Sequence, residues 1–178
     1  MQLTLRGDYF EGNFTSKNGV SSKEISASQE KISKFCPGDI SHKLWDASIN
    51  YENIDRVLAS SAKGFKSWRK LSTDERINYL KKFQNEVEKR KEDIAFAIAI
   101  ETGKPLWESR TEAGAISAKV NVTISDSFNR VSDKKIENVL PNIDGHTIFK
   151  PLGPTLVIGP YNFPCHLANG QILASLLT

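Results

Sequence analysis

Apolar residues recur at helical spacing in three stretches of the chain. Ile54, Val57, Leu58, Ala62, Phe65 and Trp68 fall on one face of a helix expected to begin near Asn50. Asn50 would cap it, and Glu52 and Asp55 suit the positive end of its dipole. Ile77, Leu80, Phe83, Val87, Ile94 and Ile98 mark the buried stripe of a second helix. Ser72-Thr73-Asp74-Glu75 opens it as a capping box, and Gly103 and Pro105 end it. A third helix is expected from about Trp107 to Phe128, with Ala113, Ile116, Val120 and Ile124 facing inward.

Elsewhere the period shortens. Residues 3–14 alternate loosely, with turn residues at Gly7-Asp8 and Gly12-Asn13, and predict a short hairpin. Residues 15–40 are polar and rich in Ser and Lys, a loop or irregular strand region with a turn at Cys36-Pro37-Gly38-Asp39. Residues 136–150 predict a second hairpin around Asp144-Gly145, and Pro141 marks at least one of its strands as an edge. Leu156-Val157-Ile158 is the continuous apolar run of a strand buried on both faces. Residues 164–177 are helical in character, with Pro164 tolerated in the first turn.

Helices that precede a buried strand leading into another helix imply an α/β doubly wound sheet. Only one candidate strand for that sheet occurs before Thr178. The sheet is therefore expected to be unfinished, with apolar faces left open, a weakly cooperative melt and a tendency to aggregate.

Composition narrows the classes. The chain has 178 residues, 39% of them apolar and 25% charged, as in soluble globular proteins. Its net charge of +3 hides a close mixture of signs. Lys81, Lys82, Lys89, Arg90 and Lys91 are interleaved with Glu86, Glu88, Glu92 and Asp93, which reads as a solvated helix face. No nucleic-acid partner is expected, because no sustained basic stripe is present. Cys36 and Cys165 have neither disulfide-framework nor zinc spacing, so no metal site is expected. No apolar run approaches the roughly 18 residues of a membrane span. The opening residues lack a signal-peptide pattern, and a cytoplasmic location with no membrane partner is expected.

Candidate chemistry centres on Gly159-Pro160-Tyr161-Asn162-Phe163-Pro164. Asn162 lies just past the C-terminal end of the expected strand, where ligands sit in open α/β sheets. Its amide could donate to an oxygen that turns negative during attack on a carbonyl, or it could simply cap the following helix. Cys165-His166 is not a nucleophile–base pair, because consecutive helical residues point about 100° apart. His42 and His146 sit in polar, turn-like contexts. Glu101-Thr102-Gly103-Lys104-Pro105 reads either as a functional loop with a charged pair or as a plain helix ending. There is no GxGxxG, Walker loop or HExxH.

Three segments together carry a resemblance. These are Glu101-Thr102-Gly103-Lys104-Pro105, the run from Lys150 to Ile158, and Gly159-Pro160-Tyr161-Asn162-Phe163-Pro164. In order and spacing they resemble the N-terminal part of the NAD(P)-dependent aldehyde dehydrogenase superfamily, with Tyr161 in place of the more usual Trp. His166-Leu167-Ala168-Asn169-Gly170 and the opening Leu3–Tyr9 are most similar to the branch that oxidises N-succinylglutamate 5-semialdehyde in arginine breakdown.

The resemblance implies an incomplete aldehyde-dehydrogenase-like α/β fold. Residues 1–20 and 134–150 would be oligomerisation hairpins. Residues 50–130 and 151–178 would be part of a Rossmann-type cofactor domain, with the catalytic domain absent. It implies NAD as cofactor, NADP not being excluded, a small aldehyde as substrate and a homo-oligomer in the full-length family. Asn162 would match the oxyanion-stabilising asparagine, and Ile158, Gly159, Pro160 and Tyr161 would line the cofactor cleft. The implied chemistry is attack of a cysteine thiolate on the aldehyde, hydride transfer to the nicotinamide and hydrolysis of the thioester by glutamate-activated water. The family's cysteine and glutamate would lie beyond Thr178, so the chain alone is expected to be inactive, or to serve as an interaction module.

Overall fold

The computed structural model describes residues 9–10, 13–14, 31–48 and 51–178. The described residues form five α-helices, α1 (Ile54–Trp68), α2 (Thr73–Lys89), α3 (Lys91–Thr102), α4 (Leu106–Val122) and α5 (His166–Leu177), of which α2 to α5 carry the core. Helix α4 packs against α2, α3 and α5. Leu80, Val120, Leu173 and Leu177 form the buried centre, with Ile77, Ile124 and Phe128 packed on it.

Three two-stranded antiparallel sheets accompany the helices: β1 (Tyr9–Phe10) with β2 (Asn13–Phe14), β3 (Lys31–Cys36) with β4 (Asp39–Ser48), and β5 (Lys134–Leu140) with β6 (Ile143–Thr147). The expected first hairpin survives as β1–β2, while its residues 3–8, Glu11 and Gly12 lie outside the described residues. The cap expected at Asn50 and the loop expected over 15–30 also lie outside them.

The capping box at Ser72 is present. The Glu75 N–H donates to Ser72 Oγ at 3.3 Å, and the Ser72 N–H donates to Glu75 Oε2 at 2.7 Å. These bonds, backbone first, hold the Glu75 carboxyl below its ordinary value of 4.5. A depressed carboxylate contributes stability above its unfolded-state value and loses it as pH falls through the folded one. The start of α2 is therefore expected to fray in acid. Ser72→Ala is expected to cost about 1 kcal/mol at neutral pH, read by amide exchange over Thr73–Arg76.

Several expectations need correction. The second helix is two helices, broken at Arg90, whose φ of −111° and ψ of 14° leave the helical region. Lys89 in the last turn of α2 and Glu92 and Asp93 in the first turn of α3 fit the two dipole ends that the break creates. The third helix is α-helical only to Val122; a wider turn over Thr123–Ser127 and a 3-10 turn over Phe128–Arg130 follow. There Thr123 Oγ1 and Ser125 Oγ donate to the carbonyls four residues back, at 2.8 and 2.9 Å. The stripe of α1 is not buried: Ile54, Val57 and Leu58 are exposed, and only its end, Phe65 and Trp68, is partly covered.

The stretch 15–40 contains β3, which pairs with β4 across the Pro37-Gly38 turn. The later hairpin turns at Pro141-Asn142, not at Asp144-Gly145: Leu140 pairs with Ile143, and Asn142 takes a φ of 63°. Asp144 instead accepts the Asn138 N–H at 3.1 Å and pairs with Lys135 at 2.8 Å. The strand expected at Leu156–Ile158 does not form, because no described strand lies beside it to complete a ladder. Leu156 and Ile158 are 84% and 79% exposed. No helix among the described residues is long and apolar enough to cross a membrane.

Candidate functional site

Helix α3 ends at Thr102 because Gly103 takes a left-handed φ of 77°, which Pro105 follows. The reversal is packed as well as turned, since a Cβ on Gly103 would lie 3.1 Å from Pro37 Cβ at the tip of the β3–β4 hairpin. Trp45 of β4 donates from Nε1 to Glu101 Oε1 at 2.8 Å and ties the hairpin to the same loop. The helix-ending reading of this segment holds; its two charged residues do not pair with each other, since Glu101 bonds Trp45 and Lys104 pairs with carboxylates on α4.

Lys104 turns inward from that loop. Its Nζ lies 3.0 Å from Glu112 Oε2 and 3.6 Å from Glu108 Oε1, and 3.7 Å from the centre of the Phe163 ring. Glu112 is buried on α4, with its side chain 1% exposed. Its other oxygen, Oε1, accepts the backbone N–H groups of Cys165 and His166 at 3.1 and 3.2 Å. A helix start leaves such N–H groups without internal partners, and its dipole favours an anion. Glu112 supplies both from a different helix.

This answers which group caps α5. Cys165 at the cap position makes no side-chain cap bond, and Glu112 takes the backbone donors. Asn162 is exposed and does not cap the helix. Among the described residues its amide has no hydrogen-bond partner.

Gly159 precedes this turn where backbone and helix run close. A Cβ there would sit 3.0 Å from Ala168 Cβ and 3.3 Å from Pro164 O. Ile158 and Tyr161 project outward, 79% and 92% exposed, and Pro160 is half-buried. Ile158, Gly159, Pro160, Tyr161 and Asn162 thus share one short edge. Its exposed apolar side chains suit one wall against a flat ring. It carries no basic residue for a pyrophosphate.

Cys165 is half-buried. Burial, then the Glu112 and Glu101 carboxylates, push its thiol above the ordinary value of 9.0. The thiolate is the reactive form, so this sulfur is less reactive at neutral pH than an ordinary thiol, in line with rejecting a Cys165–His166 pair. We expect iodoacetamide to alkylate Cys165 slowly at neutral pH and faster only as pH rises, followed by peptide mass spectrometry. His42 and His146 are exposed.

Sequence reasoning missed Glu112. Its signal was there: it stands four and eight residues before Ile116 and Val120, so a carboxylate sits on the inward stripe of α4.

Comparison with known proteins gives the frame. The aldehyde dehydrogenase family profile matches residues 25–178. An N-succinylglutamate 5-semialdehyde dehydrogenase of Legionella pneumophila (strain Corby) is 34% identical over 176 residues, covering 98% of this chain and 33% of the relative. The chain thus spans about a third of the length of that curated relative.

Among solved structures, an NADP-dependent glyceraldehyde-3-phosphate dehydrogenase of Bacillus halodurans C-125, complexed with NADP, superposes with a TM-score of 0.74 at 23% identity, over 83% of this chain and 32% of the other. A betaine aldehyde dehydrogenase of Staphylococcus aureus in complex with NAD+ gives 0.76 at 17% identity, over 99% and 34%. At these identities the two structures speak for the fold, which is that of part of an aldehyde dehydrogenase. By the extent of the profile match, the chain belongs to the aldehyde dehydrogenase family.

Proposed function

We propose that this chain supplies the oxyanion-donor turn and one wall of the cofactor cleft of a cytoplasmic NAD(P)-dependent aldehyde dehydrogenase of arginine catabolism. Its substrate is N-succinylglutamate 5-semialdehyde, oxidised to the carboxylate. The observation that carries this reading is the exposed Asn162 amide, left free because Glu112 takes the cap of α5. A fixed N–H donor aimed at an aldehyde oxygen stabilises the charge that develops there as a nucleophile adds.

Ile158, Gly159, Pro160 and Tyr161 would hold the cofactor along their exposed edge, and a bound nicotinamide dinucleotide would supply the hydride acceptor. The reading assigns no nucleophile or general base to these residues, and the raised thiol of Cys165 supports this. Alone, the chain does not turn over.

The test is a hybrid enzyme in which this chain replaces the matching third of the Legionella relative. Aldehyde-dependent NAD(P)H formation by the hybrid, with none from the chain alone, is the expected result. Robust turnover by the chain alone would sink the reading of inactivity.

One observation favours a second reading, a non-catalytic association module. Ile136, Leu140 and Ile143 on the two-stranded β5–β6 hairpin are 57%, 59% and 54% exposed, and both strands are edges. A discrete complex in size-exclusion chromatography with light scattering would support it, and a monomer would count against it.

A further inference from the structure

The carboxylate of Glu112 joins the loop after α3, eight residues before it, and the start of α5, 53 residues after it, to the middle of α4. Both oxygens are engaged by donors, and the side chain is 1% exposed. Helix α5 has no acidic residue in its own first turn, so the anion at its start comes from elsewhere. A buried ion pair is weak support for stability as such, because desolvation offsets much of the attraction. What it supplies is definition: three donors can meet one carboxylate in few arrangements.

We infer that Glu112 is a positioning residue for Asn162, clamping the Tyr161–Phe163 turn through α5 on one side and through Lys104 on the other. This rests on the role proposed above for Asn162. The geometry fits closely. Phe163, beside Asn162, lies under the Lys104 ammonium at 3.7 Å, and Cys165 and His166 follow with their N–H groups on Glu112 Oε1. On the other side of Asn162 the side chains of Tyr161 and Ile158 are 92% and 79% exposed, and the chain is held by the close approach of Gly159 to Ala168 of α5. The clamp is the fixture on the Phe163 side of the turn. Lys104 is needed with it, since it neutralises Glu112 and touches the ring at once. Glu112→Gln keeps an oxygen for the backbone donors and loses the charge that holds Lys104, whereas Glu112→Ala loses both.

Two readouts separate this role from the dehydrogenase reading. The first is amide hydrogen exchange by NMR on the 178-residue chain. In Glu112→Ala the Cys165 and His166 amides are expected to exchange about 10-fold faster or more, and in Glu112→Gln by less, with α2 and α4 unchanged. Lys89→Ala, at an exposed surface pair, serves as control and changes neither. Unchanged Cys165 and His166 amides in Glu112→Ala, or acceleration spread evenly over α2 and α4, would overturn the clamp.

The second readout is turnover of the hybrid enzyme. There Glu112→Ala is expected to lower kcat about 10- to 100-fold with KM for the aldehyde little changed, and Glu112→Gln to recover part of the loss. Equal kcat in all three would overturn the link to Asn162. If the exchange result holds while the parent hybrid itself fails to turn over, the clamp stands as a fixture of the turn. It is then the dehydrogenase reading that falls.

Discussion

Asn162→Ala, placed in the hybrid enzyme, is expected to lower kcat roughly 100- to 1000-fold, the cost of deleting one oxyanion donor. KM for the aldehyde should change far less, because the contact strengthens only as the oxygen takes on charge. The variant should fold normally. Asn162 is exposed, bonds to no described residue and does not cap α5, so its removal leaves no buried group unpaired. That separates a catalytic loss from a structural one, provided amide exchange in α5 matches the parent. A loss below threefold with α5 intact would mean that Asn162 is not the donor.

The second large effect is expected at Leu173. This side chain is 1% exposed and sits with Leu80, Val120 and Leu177 where α5 meets α2 and α4. Leu173→Ala leaves a cavity there and is expected to cost about 2–5 kcal/mol, against a total of about 5–15 for an ordinary domain. Helix α5 has few other anchors at that end. The Trp68 indole donates to Leu176 O at 2.8 Å, and Arg76 Nη1 donates to Leu177 O at 3.0 Å. Because Trp68 reports the docking of α5, its fluorescence in a urea titration gives the measurement. An earlier midpoint is expected; one within error of the parent would show that the α5 contact carries little of the stability.

How much of this was legible depends on where each element finds its partners. The capping box at Ser72 and the stripe Ala113, Ile116 and Val120 could be read directly, because propensity, cap chemistry and burial agree there. The stripe of α1 has the right period and still lies exposed, since periodicity shows which face is apolar and not whether anything covers it. The same gap explains Leu156–Ile158: an apolar run signals a strand, but a strand exists only with a neighbour.

The β3–β4 hairpin was hidden by its composition. Its strands carry Ser and Lys on a largely exposed ladder, leaving the Pro37-Gly38 turn as the one clear signal. At Asn142 a positive φ beside Pro141 sets the turn, although Asp144-Gly145 is the stronger turn dipeptide by residue type. In the candidate site, the motif and Asn162 were legible. Glu112 and its bonds to the Cys165 and His166 N–H groups were not, because that contact joins residues whose meeting only the packing of α4 on α5 decides.

The exposed apolar stretch from Leu152 to Tyr161 bears on handling the chain alone. Leu152, Leu156, Ile158 and Tyr161 are each more than three-quarters exposed. Such a row favours association and a broad melt.

The central claim is that this chain provides a working Asn162 turn to an aldehyde dehydrogenase. Its most direct test is the initial rate of NAD(P)H formation from N-succinylglutamate 5-semialdehyde by the hybrid enzyme, measured beside its Asn162→Ala partner. A rate in the parent hybrid well above that of the partner is the predicted result. A folded hybrid whose rate equals that of Asn162→Ala would contradict it.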